Sequence, residues 1–181
     1  MQRDVNKPST RQTLLRRIIV YGVLTLILGC GQCAFFPILN ICPAVPDLML
    51  GMLVAIALID GEKSAAVCAV AAGFFIDAVG SSGIALSPLV YVFLVAFISF
   101  FTKKMLSSFA SYFLLLIPAL IYRAAATDIC ALIAYGEAPG LWILGDVILP
   151  EMLTTVLLCL PIYFIVKLCS RIFGNYGRFS F

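Results

Sequence analysis

The run Leu48-Met49-Leu50-Gly51-Met52-Leu53-Val54-Ala55-Ile56-Ala57-Leu58-Ile59 holds no polar side chain; the chain enters it through Pro46-Asp47 and leaves it through Asp60-Gly61-Glu62-Lys63. A further apolar run, residues 64–79, follows at once and is closed by Gly80-Ser81-Ser82-Gly83. Apolar stretches separated by breaks of a few polar or turn-forming residues mark a chain whose solvent is the bilayer. Outward from this stretch the pattern repeats. A first run covers residues 18–39 and ends among Pro37, Pro43 and Pro46, which an unbroken helix would not tolerate. A fourth ends near Phe101, a fifth covers Phe109–Tyr135 and a sixth covers Trp142–Leu168, with Gly136-Glu137-Ala138-Pro139-Gly140 between the last two. The sequence therefore predicts an all-α integral membrane protein, a bundle of about six transmembrane helices.

Composition agrees. The chain is 63% hydrophobic and 12% charged, with a mean hydropathy of +1.12, whereas soluble domains carry about 25% charged residues. The basic residues report orientation. Arg3, Lys7, Arg11, Arg16 and Arg17 precede the first run, Lys63 lies in the second break, Lys103 and Lys104 in the fourth, and Lys167, Arg171 and Arg178 at the end. All fall on one side, while the three opposite breaks hold no lysine or arginine, so the positive-inside rule puts both termini in the cytoplasm of a multi-pass plasma-membrane protein. The expected organisation is a basic cytoplasmic segment at 1–17, a six-helix transmembrane domain at 18–168 and a short cytoplasmic tail at 169–181. Reading the first run as a cleaved signal peptide, with Ile27-Leu28-Gly29-Cys30 as its cleavage box, would spoil this symmetry. The basic residues form no nucleic-acid-binding face.

Several chemistries are disfavoured. The chain has no histidine, so the usual neutral-pH base and the commonest metal ligand are both missing. Cys30, Cys33, Cys68, Cys130 and Cys159 lie inside apolar runs, where packing thiols are expected and not a disulfide framework. Cys30-Gly31-Gln32-Cys33 matches a redox pair, and the glycines around it a dinucleotide fingerprint. Both need a strand-and-helix scaffold that an apolar run lacks, so small residues for close helix packing are the expectation. No cofactor or metal site is expected, and no catalytic residue. An intramembrane enzyme using Asp77, Asp128, Asp146 and Glu151 as paired carboxylates is the weakest of the functions considered.

In the third run Ala65, Ala69, Gly73 and Asp77 recur every fourth residue and form one ridge. Small side chains let another helix approach closely, and the same geometry turns Asp77 away from lipid. In the fifth run Arg123 lies about 14 residues, or roughly 20 Å of helix, from the cytoplasmic end. An unpaired arginine at that depth costs about 3 kcal/mol or more. An acidic partner is expected from among Asp77, Asp128, Asp146 and Glu151. Glu151, about nine residues into the sixth run and roughly 14 Å below the outer edge, matches the level of Arg123 best. An Arg123–Glu151 pair, with Asp77 or Asp128 nearby, is the expectation, serving to fix how helices dock and not to carry ions.

Pro46-Asp47-Leu48 opening one run, Gly73-Phe74-Phe75-Ile76-Asp77 closing the next, and Gly83-Ile84-Ala85-Leu86-Ser87-Pro88-Leu89-Val90-Tyr91 opening the one after resemble MreD, the small membrane subunit of the bacterial rod-shape system. The motif covers about a quarter of the chain and leaves everything beyond Lys104 unmatched, so Arg123, Asp128 and Glu151 owe nothing to it. The resemblance implies a non-enzymatic subunit of the cell-shape, or elongation, complex. Such a subunit binds MreC and helps to couple MreB filaments to peptidoglycan synthesis by RodA and a class B penicillin-binding protein. It also implies a fold like that of the substrate-binding subunits of energy-coupling-factor transporters. A vitamin-type subunit of such a transporter is therefore the alternative function, one that requires an outward-facing cavity and an ATPase partner. On the MreD reading Asp47 caps a helix at the outer surface, and that motif or the turn from Gly80 to Gly83 is available to the partner.

Overall fold

The computed structural model describes residues 10–35, 46–79, 86–102, 108–135 and 149–172. Every element among them is helical: α1 (Thr10–Cys30) running on into a π-helical turn (Gly31–Phe35), α2 (Leu48–Ile59), α3 (Glu62–Val79), α4 (Ser87–Thr102), α5 (Phe109–Tyr135) and α6 (Leu149–Ile172). The predicted bounds of α2 and α5 match closely. α1 starts about two turns before its apolar run, because the residues from Thr10 to Arg17 include good helix formers and a helix needs no apolar face to extend beyond a packed one. The turn Gly80–Gly83 and the beginning of the sixth run, Asp146 included, lie outside the described residues.

α2 is the axis of the bundle. It touches each of the other five helices, and every residue from Leu48 to Ile59 is buried. A helix that is apolar on all sides has no face to offer water and belongs in the middle. Gly51 lets α6 press against it, since a Cβ there would collide with the Cys159 sulfur.

The small ridge of α3 packs as its spacing predicts. Ala65 and Ala69 are fully buried, and a Cβ on Gly73 would run into the backbone of Ser87 and Pro88 at the start of α4. Both carboxylate oxygens of Asp77, at the end of this ridge, are buried and have no hydrogen-bond partner among the described residues.

The outer faces are apolar. Ile19 and Ile27 on α1, Val67 and Phe74 on α3, Phe93 and Phe100 on α4, Ile121 on α5 and Leu157 on α6 are all exposed. Within α5 and α6, Phe109–Ile129 and Leu149–Arg171 are long and apolar enough to cross a membrane.

Candidate functional site

The head of α2 gathers polar groups from nearly the whole bundle around Asp47, which is 2% exposed. Asp47 caps the helix, its Oδ1 accepting the Leu50 N–H at 3.1 Å, as an aspartate before an apolar run is expected to do. The Tyr91 hydroxyl of α4 donates to the same carboxylate, 2.9 Å from Oδ2 and 3.1 Å from Oδ1. Arg123 of α5 completes the set, with Nε 3.1 Å from Oδ2. Its guanidinium carbon stands 5.5 Å from the centre of the Tyr91 ring, within cation–π range. The Asp47 N–H donates to Thr155 Oγ1 of α6 at 3.0 Å, and the Met49 N–H donates to Gln32 Oε1 in the turn after α1 at 3.2 Å. Thr127, one turn beyond Arg123, accepts from Nη1 at 2.8 Å and donates to the Arg123 carbonyl at 2.9 Å.

This corrects the expected pairing. Arg123 bonds to Asp47, not to Glu151, and neither Asp77 nor Asp128 forms an ion pair with it among the described residues. Asp47 is expected at an outer surface on the MreD reading and so is absent from the candidate partners of Arg123. α2 has only twelve residues, about 18 Å at 1.5 Å per residue, and its cap lies beside Arg123. Glu151, in the first turn of α6, is close enough to feel the charges of both Asp47 and Arg123, yet it takes neither.

The residues that carry the family-like motif divide in the same way. Pro46, Asp47 and Leu48 are buried at the head of α2, Gly73 packs on Ser87 and Pro88, and Tyr91 bonds to Asp47. Gly83 lies outside the described residues. Asp47, 76 residues from Arg123, and Tyr91, on the helix before it, are thus the members of the cluster that the charge pattern did not single out.

The other end of α2 is held in a parallel manner, which no sequence signal singled out. Asp60 accepts hydrogen bonds from the Tyr21 hydroxyl of α1 and, at 2.9 Å, from Ser170 of α6. Gly61, at φ 94°, then reverses the chain into α3, a conformation that favours glycine. Around Gly29-Cys30-Gly31-Gln32-Cys33 the cysteines are free thiols. Gly29 packs where a Cβ would meet Phe75 and Met49, as a packing role requires, whereas a Cβ on Gly31 would meet nothing within 4 Å.

The arrangement at Asp47 is built to hold helices together. Its carboxylate and cation satisfy each other. Among the described residues no three carboxylates or thiols converge as a metal site. No protein-family model, no curated protein and no solved structure matches the chain.

Proposed function

We propose that this chain is a non-enzymatic, multi-pass subunit of the bacterial plasma membrane with both termini cytoplasmic, acting as an adaptor in the cell-shape complex in the manner of MreD. Its partner would be MreC, and through it MreB filaments would be coupled to the peptidoglycan synthases. The observation that carries this reading is the meeting of the motif pieces: Asp47 with Tyr91, and Gly73 with Ser87 and Pro88. Segments that resemble one family only loosely when taken singly form one packed unit at the head of α2, and such a unit is what a shared motif preserves.

Membrane insertion is supported by the inverted surface. Large apolar side chains cover the outside of α1, α3, α4, α5 and α6, while the ion pair and the tyrosine hydroxyls lie within. Exposed apolar faces of that extent need lipid or another chain against them. Detergent co-purification of the tagged protein from its own cells, with mass spectrometry of retained proteins and small molecules, tests the function. Recovery of MreC without an ATPase is expected; an ATPase module with a bound vitamin-like molecule would replace this reading with the transporter subunit.

A further inference from the structure

The last turns of α6 carry two cations that the described residues do not neutralise. Lys167 and Arg171 lie four residues apart, hence on one side of the helix, and neither forms an ion pair among the described residues. Lys167 instead sets its Nζ 5.3 Å from the centre of the Tyr163 ring, within cation–π range. Tyr163 is fully buried, so it gives the ammonium a face to lie on and no counter-charge. Asp60 reaches the same end of α6, where it accepts from Ser170 on the buried side. Arg171 is one residue further, about 100° round the helix, and exposed.

Next to these cations the surface is apolar and aromatic. Phe164 and Leu168 are exposed on α6, and Leu157 continues the exposed face away from the charged end. Phe109, in the first turn of α5, forms one flank. Its ring centre stands 5.5 Å from those of Tyr163 and Phe164, and the ring is itself exposed. The other flank of α6 differs: there Arg17 of α1 lines a small cavity together with Tyr21, Asp60 and Ser170. One cation and one carboxylate on that side leave no net charge to attract an anion. On the α5 side two cations stand at the end of an apolar face with no carboxylate between them.

We propose that this surface binds an anionic phospholipid, whose phosphate bridges Lys167 and Arg171 and whose acyl chain lies along Phe164 and Leu157 beside Phe109. The argument for this occupant is charge complementarity. A zwitterionic lipid brings a cation of its own, which a pair of cations repels, whereas an anionic headgroup supplies the missing negative charge and is attracted by each lysine or arginine near the membrane surface. A lysine whose stem follows apolar surface while its head reaches the headgroups suits such a position. The inference rests on the reading of α6 as a membrane-spanning helix and not on the identity of any protein partner.

Native mass spectrometry of the full chain tests it, with the protein delipidated in neutral detergent and titrated with phosphatidylglycerol or phosphatidylcholine. Phosphatidylglycerol should be retained in preference to phosphatidylcholine. Lys167→Gln and Arg171→Gln should each weaken that retention about fivefold, as loss of one cation near the membrane surface would, and Lys167→Arg should keep it. Lys63→Gln removes the same charge from another exposed position and should leave retention unchanged. Arg171 is exposed, so Arg171→Gln decides the matter even if Lys167→Gln loosens the packing on Tyr163. Equal retention of the two lipids, or an equal loss in Lys63→Gln and Arg171→Gln, would overturn the site. If phosphatidylglycerol is selected through Lys167 and Arg171 while MreC fails to co-purify, the lipid site stands and the cell-shape role fails. If MreC is recovered with a chain indifferent to phosphatidylglycerol, the lipid site fails and the adaptor stands.

Discussion

Asp47 and Arg123 are 76 residues apart in sequence and 3.1 Å apart in space, and their ion pair ties the head of the central helix to α5. The Tyr91 hydroxyl, shared across the same carboxylate, adds α4 to the knot. Breaking a buried pair by neutralising one partner strands the other charge, which is costlier than the pair's net contribution.

Asp47→Asn therefore isolates the charge, because asparagine still caps a helix while it no longer neutralises Arg123. It should lower stability in detergent by about 3–5 kcal/mol, with Asp47→Ala about 1 kcal/mol worse for the lost cap. Glu151→Gln should change it by less than about 1 kcal/mol, since Glu151 does not bond to Arg123. Thermal unfolding of the purified variants reads the order. If Glu151→Gln proved the most damaging, the assignment of Arg123 to Asp47 would be wrong.

Glycines that the packing uses can be separated from one that it does not. Gly73→Ala would drive a methyl into the backbone of Pro88 and Ser87, which have no rotamer with which to yield. A loss of about 1–3 kcal/mol is expected from such overpacking. A Cβ on Gly22 meets nothing within 4 Å, so Gly22→Ala should be neutral or stabilise by up to about 1 kcal/mol through helix propensity. Paired melting curves decide; equal destabilisation by both would mean that α3 and α4 do not approach as described.

The lysine and arginine pattern makes a topological prediction. In a cysteine-free background, a cysteine at Glu62, which is exposed beside Lys63, should react with a membrane-impermeant maleimide only after the cells are opened. A cysteine at Glu137, in the loop without basic residues, should react in intact cells. Labelling of both from the same side would remove the even-span arrangement.

Much of this was readable from residues alone, and the part that was not has a specific cause. Helix bounds emerged because Asp47 and Asp60 bracket an apolar run, and the α3 ridge because four-residue spacing is a local property. The partner of Arg123 escapes the sequence reading because Asp47 reads as the outer cap of a helix and so does not enter the list of candidates. The signal that could have corrected this was present in residues 48–59, where apolar side chains occupy every direction. Such a helix lies in the centre, and its caps are then buried with it. The bonds of Asp60 to Tyr21 and Ser170 depend on how α1, α2 and α6 come together, which no periodicity encodes.

Two adjacent threonines on α6 offer the finest test of the knot around Asp47. Thr155 Oγ1 accepts the Asp47 N–H at 3.0 Å from a fully buried position. Thr155→Val keeps the shape and removes the acceptor, leaving a buried N–H without a partner, at a cost of about 1–3 kcal/mol. Thr154 instead bonds back to the carbonyls of its own helix, 2.8 Å from Pro150 O and 3.1 Å from Glu151 O. Such bonds within a helix add little, because those carbonyls have other means of satisfaction. Thr154→Val should therefore be within about 0.5 kcal/mol of the parent, a surface-like effect. The two variants make the same chemical change on one helix, so an overall gain in apolarity of α6 is common to both, and they differ in burial and in which neighbour loses its oxygen. Denaturant titration in detergent should place Thr155→Val well below Thr154→Val. Coincident curves would mean that α6 does not reach the head of α2.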